Sequence, residues 1–256
     1  MSKSLITKIE NILDDIISEN KDLFKYYNSD YKYNNRRVPR VTSIVSSCIG
    51  KDEIVKWANS IGLEGKDYTT YMREVFDVGS ETHSYIENFS KNIDVNFNAM
   101  QFYREKSKMA YLAYRRWYDT LKRSNYDVEI LKTEHTITCK YFGGTIDALY
   151  RINGKLYIVD YKTSNNVRLD NAIQLAAYNY LLEKTENIFV DGHIILQLNK
   201  DNISYNEYVL NIDNPLQKTY LDQTKEAFMC CVLWFYYLTL IKNNLKSHTG
   251  WEGVKV

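Results

Sequence analysis

Apolar residues recur three and four positions apart through residues 4–27, at Leu5, Ile6, Ile9, Ile12, Leu13, Ile16 and Ile17, with acids and lysines between them. That spacing predicts an amphipathic helix. Residues 26–40 form a polar, tyrosine-rich connection. Residues 38–42 read as extended, and Thr42 or Ser43 would then cap a helix running through Ser47. Further helices are expected over 52–61, stopped by Gly62, over 69–90 in two pieces around Gly79, and over 98–123. The second half alternates differently. Strands are expected over 128–139, 144–152, 155–161, 190–198 and 204–210, with helices over 170–183 and 214–243. Asn153-Gly154 between two strand patterns predicts a tight hairpin. The order predicts a mixed α/β core with a helical N-terminal elaboration.

A length of 256 residues allows one large domain or two small ones, with the change of pattern near residue 125. The expected division is a helical region over 1–125 and a core over 126–256. The 33 basic and 32 acidic residues nearly cancel, to a net charge of +1. That argues against coating nucleic acid by bulk charge, and it leaves room for a local basic groove. The four cysteines, Cys48, Cys139, Cys230 and Cys231, include no C-x-x-C pair. They read as reduced, mostly buried thiols. The N-terminus lacks a long apolar run, so no secretory signal is expected. The most apolar stretch, 229–241, looks too short to span a bilayer and suits a core helix, so no membrane partner is expected.

Candidate chemistry gathers at the hairpin. With the turn at 153–154, Asp147 and Asp160 fall at about the same level of the ladder. Two carboxylates held that close repel unless a cation lies between them. Lys162 is two residues beyond Asp160 and therefore on the same side of its strand. Together they suggest a site for Mg²⁺ and a phosphate. The plainer alternative is two acids and a surface lysine at strand ends facing solvent.

Four motifs occur in order: Gly79-Ser80-Glu81-Thr82-His83, Gly144-Thr145-Ile146-Asp147, Asp160-Tyr161-Lys162, and Gln174-Leu175-Ala176-Ala177-Tyr178. Over about residues 79–183 the chain resembles the PD-(D/E)xK nuclease superfamily. The likeness is to its RecB-type exonuclease branch, which also includes the mitochondrial genome maintenance exonuclease and many phage nucleases. The resemblance implies a restriction-endonuclease-like α/β core whose mixed central sheet is flanked by helices. It also implies Mg²⁺ or Mn²⁺ held by Asp147, Asp160, the backbone carbonyl of Tyr161, and His83. Lys162 would position the attacking water and stabilise charge on the phosphate. Gln174 and Tyr178, one helical turn apart, would reach the same phosphate or the lysine.

Glu134 matches an acid often found near the metal in this branch. Glu87, one turn after His83, reads equally well as a supporting group or as solvated. Thr163 and Ser164 could donate to a phosphate or simply turn the chain. Arg36, Arg37, Arg40, Arg115, Arg116 and Arg123 are candidate DNA contacts, with Tyr103, Tyr111, Tyr114 and Tyr118 as stacking platforms. No iron–sulfur cluster is expected, because only two late cysteines exist and they are adjacent. The implied activity is a Mg²⁺/Mn²⁺-dependent deoxyribonuclease in a DNA-containing intracellular compartment such as the cytoplasm. It would be an exonuclease preferring single-stranded DNA or free ends, leaving 5′-phosphates and 3′-hydroxyls. A structure-specific endonuclease on the same fold, or a catalytically silent binding module, remain the alternatives.

Overall fold

The computed structural model describes residues 4–25, 27–49, 52–97 and 104–249. Helix α1 (Leu5–Glu19) buries Ile9, Leu13 and Ile16, with the Ser4 hydroxyl capping its first turn. It covers every one of the spaced apolar positions and ends two residues after Ile17, well short of residue 27. The side chain and backbone amide of Asn20 both donate to the Ile16 carbonyl, and Leu23 and Phe24 turn inward instead. The expected plain connection contains a short hairpin, β1 (Lys32–Tyr33) with β2 (Arg36–Arg37). Its turn residues, Asn34 and Asn35, both have positive φ, the conformation a two-residue hairpin turn requires.

Helix α2 (Val41–Cys48) starts two or three residues sooner than a Thr42 or Ser43 cap would allow. Arg40 occupies the cap position without a side-chain hydrogen bond. Helix α3 (Asp52–Leu63) continues through Gly62. Helix α4 (Tyr68–Ser90) is one unbroken helix through Gly79, not two pieces. A single glycine costs a helix only about 1 kcal/mol, which packing easily outweighs. Of the fourth expected helix, α5 (Arg104–Arg123) is described, while 98–103 lie outside the described residues.

Strands β3 (Val128–Thr138), β4 (Gly143–Ile152), β5 (Lys155–Lys162), β6 (Gly192–Leu198) and β7 (Tyr205–Asn211) form one sheet in that order. All neighbours are antiparallel except β5 and β6. The β4–β5 turn has positive φ at both Asn153 and Gly154, as the dipeptide predicts. The parallel step from β5 to β6 is made through α6 (Leu169–Leu181), which ends in one π-helical turn at Leu182–Glu186.

Helix α7 (Pro215–Thr249) closes the chain. It is longer than the apolar stretch 229–241, and Pro215–Leu245 is long and apolar enough, by length and composition, to cross a membrane. Within the fold it packs on α1, α2 and α6 and buries Phe228, Met229, Val232 and Tyr236.

The sheet separates two apolar cores. On one side α1, α2, α6 and α7 pack against Ile146, Leu149, Ile158 and Ile195. On the other, α4 and α5 pack against Ala148, Tyr150, Val159 and Leu196. Tyr111 and Tyr114 belong to this second core, so they are not the stacking platforms their composition suggested. The Tyr114 and Tyr150 hydroxyls are 2.8 Å apart, and Tyr150 and Tyr161 are 3.0 Å apart, so these phenols satisfy one another under the sheet.

Candidate active site

The paired register of β4 and β5 ends at Ala148 opposite Val159. Beyond it the Asp147 side chain continues the ladder, its carboxylate accepting the Tyr161 backbone N–H at 2.8 Å. Asp160 is only 1% exposed, so the plainer alternative of a strand-end acid facing solvent does not hold for it. The Lys162 ammonium donates to its Oδ1 at 2.9 Å and lies 2.7 Å from Oδ2. Burial, opposed by Lys162 and reinforced by Asp147, raises the Asp160 carboxyl to about 6. Burial alone would lower Lys162, but Asp160 and Asp147 outweigh it and keep the ammonium charged.

Helix α4 brings His83 to the same point. Its Nδ1 lies 3.3 Å from Oε1 of Glu134 and 3.7 Å from Oδ1 of Asp147, and its Nε2 lies 3.3 Å from the Tyr161 carbonyl. Burial would depress this imidazole, yet Asp147 and Glu134 push it up to about 9. Both nitrogens face acceptors, and coordinating a cation would displace a proton from the ring.

Glu134 reaches the site by an unusual route. Its φ is +46°, a left-handed conformation inside a β-strand. Such strain in a non-glycine residue concentrates at functional sites.

One potential ligand atom each from His83, Glu134 and Asp147 lie within 4.8 Å of one another, beside the Tyr161 carbonyl. Asp160, expected among the ligands, lies against Lys162, its two carboxylate oxygens 2.9 and 2.7 Å from the ammonium. Carboxylates, one carbonyl and one imidazole make a hard, oxygen-rich donor set that fits Mg²⁺ or Mn²⁺. Glu134, given second rank by sequence, thus stands beside both His83 and Asp147.

A cavity of about 650 Å³ opens over these groups, walled by α4 and by Thr163 and Ser164. Phe76, 65% exposed, stands at its rim. Glu87 lines the cavity while pairing with Lys91 at 2.6 Å. On α6, Gln174 donates to the Tyr178 hydroxyl at 2.7 Å. Tyr178 is buried, and burial with the Asp147 and Asp160 charges keeps its phenol protonated. Gly144 makes room for it: a Cβ there would come within 2.7 Å of the Tyr178 ring.

Most of the candidate DNA-binding arginines have partners inside the protein. Arg36 donates to the Lys140 carbonyl, Arg37 to that of Tyr27 and Arg116 to that of Ile203. Arg40 pairs with Asp30, and Arg115 pairs with Asp119 while lying over the Phe89 ring. Arg123 is exposed at the end of α5.

Acids gathered with a histidine and a lysine at the splayed ends of a mixed α/β sheet are the arrangement of a phosphodiester-cleaving hydrolase. The chain belongs to the PD-(D/E)XK nuclease superfamily, whose family model matches residues 62–233, from α3 into α7. It is thus a member of a nuclease family, with nucleic acid as the class of substrate and a restriction-endonuclease-like fold. A solved structure titled "Crystal structure of SSO0001" is 17% identical with a TM-score of 0.37, over 86% of this chain and 85% of that one. No curated protein sequence matches.

Proposed function

We propose that this protein is a Mg²⁺- or Mn²⁺-dependent deoxyribonuclease that works as an exonuclease on single strands or free DNA ends. The observation that carries the reading is the convergence of His83, Glu134, Asp147 and the Tyr161 carbonyl beside the Asp160–Lys162 pair. When bound, a divalent cation supplies positive charge and Lewis acidity at the phosphate. Lys162 holds its charge against Asp160 and stabilises the negative charge that grows on the phosphoryl oxygens as water adds to phosphorus. Asp147 fixes the Tyr161 backbone, and so aims its carbonyl. Tyr178, to whose hydroxyl Gln174 donates, stays protonated beside the Asp147 and Asp160 charges. Hydrolysis then leaves a 5′-phosphate and a 3′-hydroxyl.

Two features favour a free strand over intact duplex. The cavity falls within the range of pockets that enclose a single ligand, roughly 300–1,000 Å³, and α4 covers one side of it. The net charge of +1 supplies little of the broad phosphate attraction that duplex binding uses. The test is end-labelled linear single-stranded DNA, its covalently closed circle and a blunt duplex, each with Mg²⁺, Mn²⁺ or EDTA. The expected result is metal-dependent loss of the linear strand, with the circle spared. Efficient cutting of the circle would replace the exonuclease by an endonuclease, and inertness with every metal would remove the activity altogether.

A further inference from the structure

A second, smaller cavity of about 280 Å³ adjoins the catalytic one. The two share Thr163 and Ser164, which follow Lys162 in the chain. Strands β5 and β6 run parallel, so both leave the sheet at one edge. The carboxyl ends of parallel strands are where open α/β sheets place their ligands. The walls of this cavity are mostly amides and hydroxyls, among them Asn165, Asn199, Ser204 and Asn206, with one lysine, Lys200, and one carboxylate, Asp201, beside it.

The cavity is a braced structure. Gln197 is the register partner of Lys162 on the neighbouring strand and is itself buried. Its Nε2 donates to the Ser164 carbonyl at 2.9 Å, and its Oε1 accepts from Asn206 Nδ2 at 2.9 Å. The loop after Lys162 is thereby tied to the β6–β7 hairpin. Within that hairpin the Asn199 side chain accepts the backbone N–H groups of Asp201 and Asn202, which sets the turn that carries Lys200.

Lys200 is half-buried, and its ammonium points back to the Thr163 carbonyl at 3.5 Å. No carboxylate among the described residues forms an ion pair with it, whereas nearby Lys106 is tied to Glu74. Burial lowers the Lys200 ammonium, Asp201 opposes that, Lys106 adds repulsion, and Glu74 offsets part of it. A cation in this setting gains by receiving an anion, and the strand lying in the adjoining cleft carries one at every linkage.

Building on the nuclease reading, we infer that Lys200 binds a second backbone phosphate, that of the nucleotide next to the bond being cut, and that the small cavity receives this nucleotide. Lys200 is then a substrate-positioning residue, apart from the groups that perform hydrolysis.

The test compares wild type with Lys200→Ala, Lys200→Gln and Lys200→Arg, with melting temperatures confirming that each folds. The substrates are single-stranded oligonucleotides carrying one uncharged methylphosphonate at successive positions. Neutral variants should raise KM about tenfold with kcat within about twofold, the size of one charge-assisted contact. The slope of log(kcat/KM) against log[salt] should fall by about 0.7, one single-strand phosphate. One methylphosphonate position beside the cut should impair wild type and Lys200→Arg but cost the neutral variants nothing further. If every position costs all four proteins equally, Lys200 touches no phosphate, and continued cleavage by wild type shows that the nuclease reading survives. If wild type cleaves no nucleic acid, both fall together.

Discussion

Oε1 of Glu134 lies 3.3 Å from Nδ1 of His83, and the glutamate reaches it from a backbone φ of +46° inside strand β3. A left-handed conformation costs an L-residue about 1–2 kcal/mol, which glycine escapes. Glu134→Gly and Glu134→Ala remove the same carboxylate, and only the first relieves the backbone. Glu134→Gly should therefore be about 1 kcal/mol more stable than Glu134→Ala in urea denaturation. Both should lose on the order of 100-fold in nuclease rate. Equal stabilities would show that the site stores no strain at this residue.

The Asp160–Lys162 pair is buried enough that breaking it matters for folding. Removing one partner of a buried pair costs about 3–5 kcal/mol, because the other charge is left without compensation. Asp160→Asn and Lys162→Met should each destabilise the metal-free protein by roughly that amount. The double variant should recover most of the loss in a double-mutant cycle while remaining inactive. Additive losses would mean that the two side chains do not depend on one another.

Metal binding should appear as stability even without turnover. At about 100 times its dissociation constant, a cation that binds only the folded state adds about 2.7 kcal/mol. Thermal unfolding with increasing Mn²⁺ should show this gain in wild type and little of it in His83→Ala, Asp147→Asn and Glu134→Gln. Glu134→Gln is the informative variant. If it keeps the full wild-type gain, Glu134 does not hold the cation.

Away from the site, His193 on β6 is buried, and its Nε2 has no hydrogen-bond partner among the described residues. Burial, reinforced by Lys225, lowers its pKa from 6.5 to about 3. Between those values the unfolded chain binds a proton that the folded chain refuses. The His193 contribution to stability is thus intact above pH 6.5 and falls with acidification, by up to about 1.4 kcal/mol per pH unit. Urea unfolding from pH 7.5 to 5 should show a shallower decline in His193→Leu than in wild type. Identical slopes would place the histidine in a more polar setting.

Much of this protein is decided by local pattern. The β4–β5 hairpin follows from Asn153-Gly154, because only a turn with positive φ at both central residues matches the twist of the strands it joins. Spacing along β5 likewise puts Asp160 and Lys162 on one side, since strand side chains alternate. Gly144 is legible as a motif residue, although its physical reason, the Tyr178 ring against its Cα, exists only in the fold.

Tertiary structure decided what periodicity leaves open. Tyrosines at helical spacing on α5 are more often core than platform, and the packing of α4 and the sheet against Tyr111 and Tyr114 makes them core here. The continuity of α4 through Gly79 was decided in the same way, by packing that outweighs a weak local preference. The ranking of acids at the site was also beyond the sequence. Which carboxylate faces His83 and which faces Lys162 depends on one left-handed residue in β3 and on the meeting of α4 with the ends of β4 and β5. Those contacts join residues far apart in the chain, and no spacing rule along it encodes them.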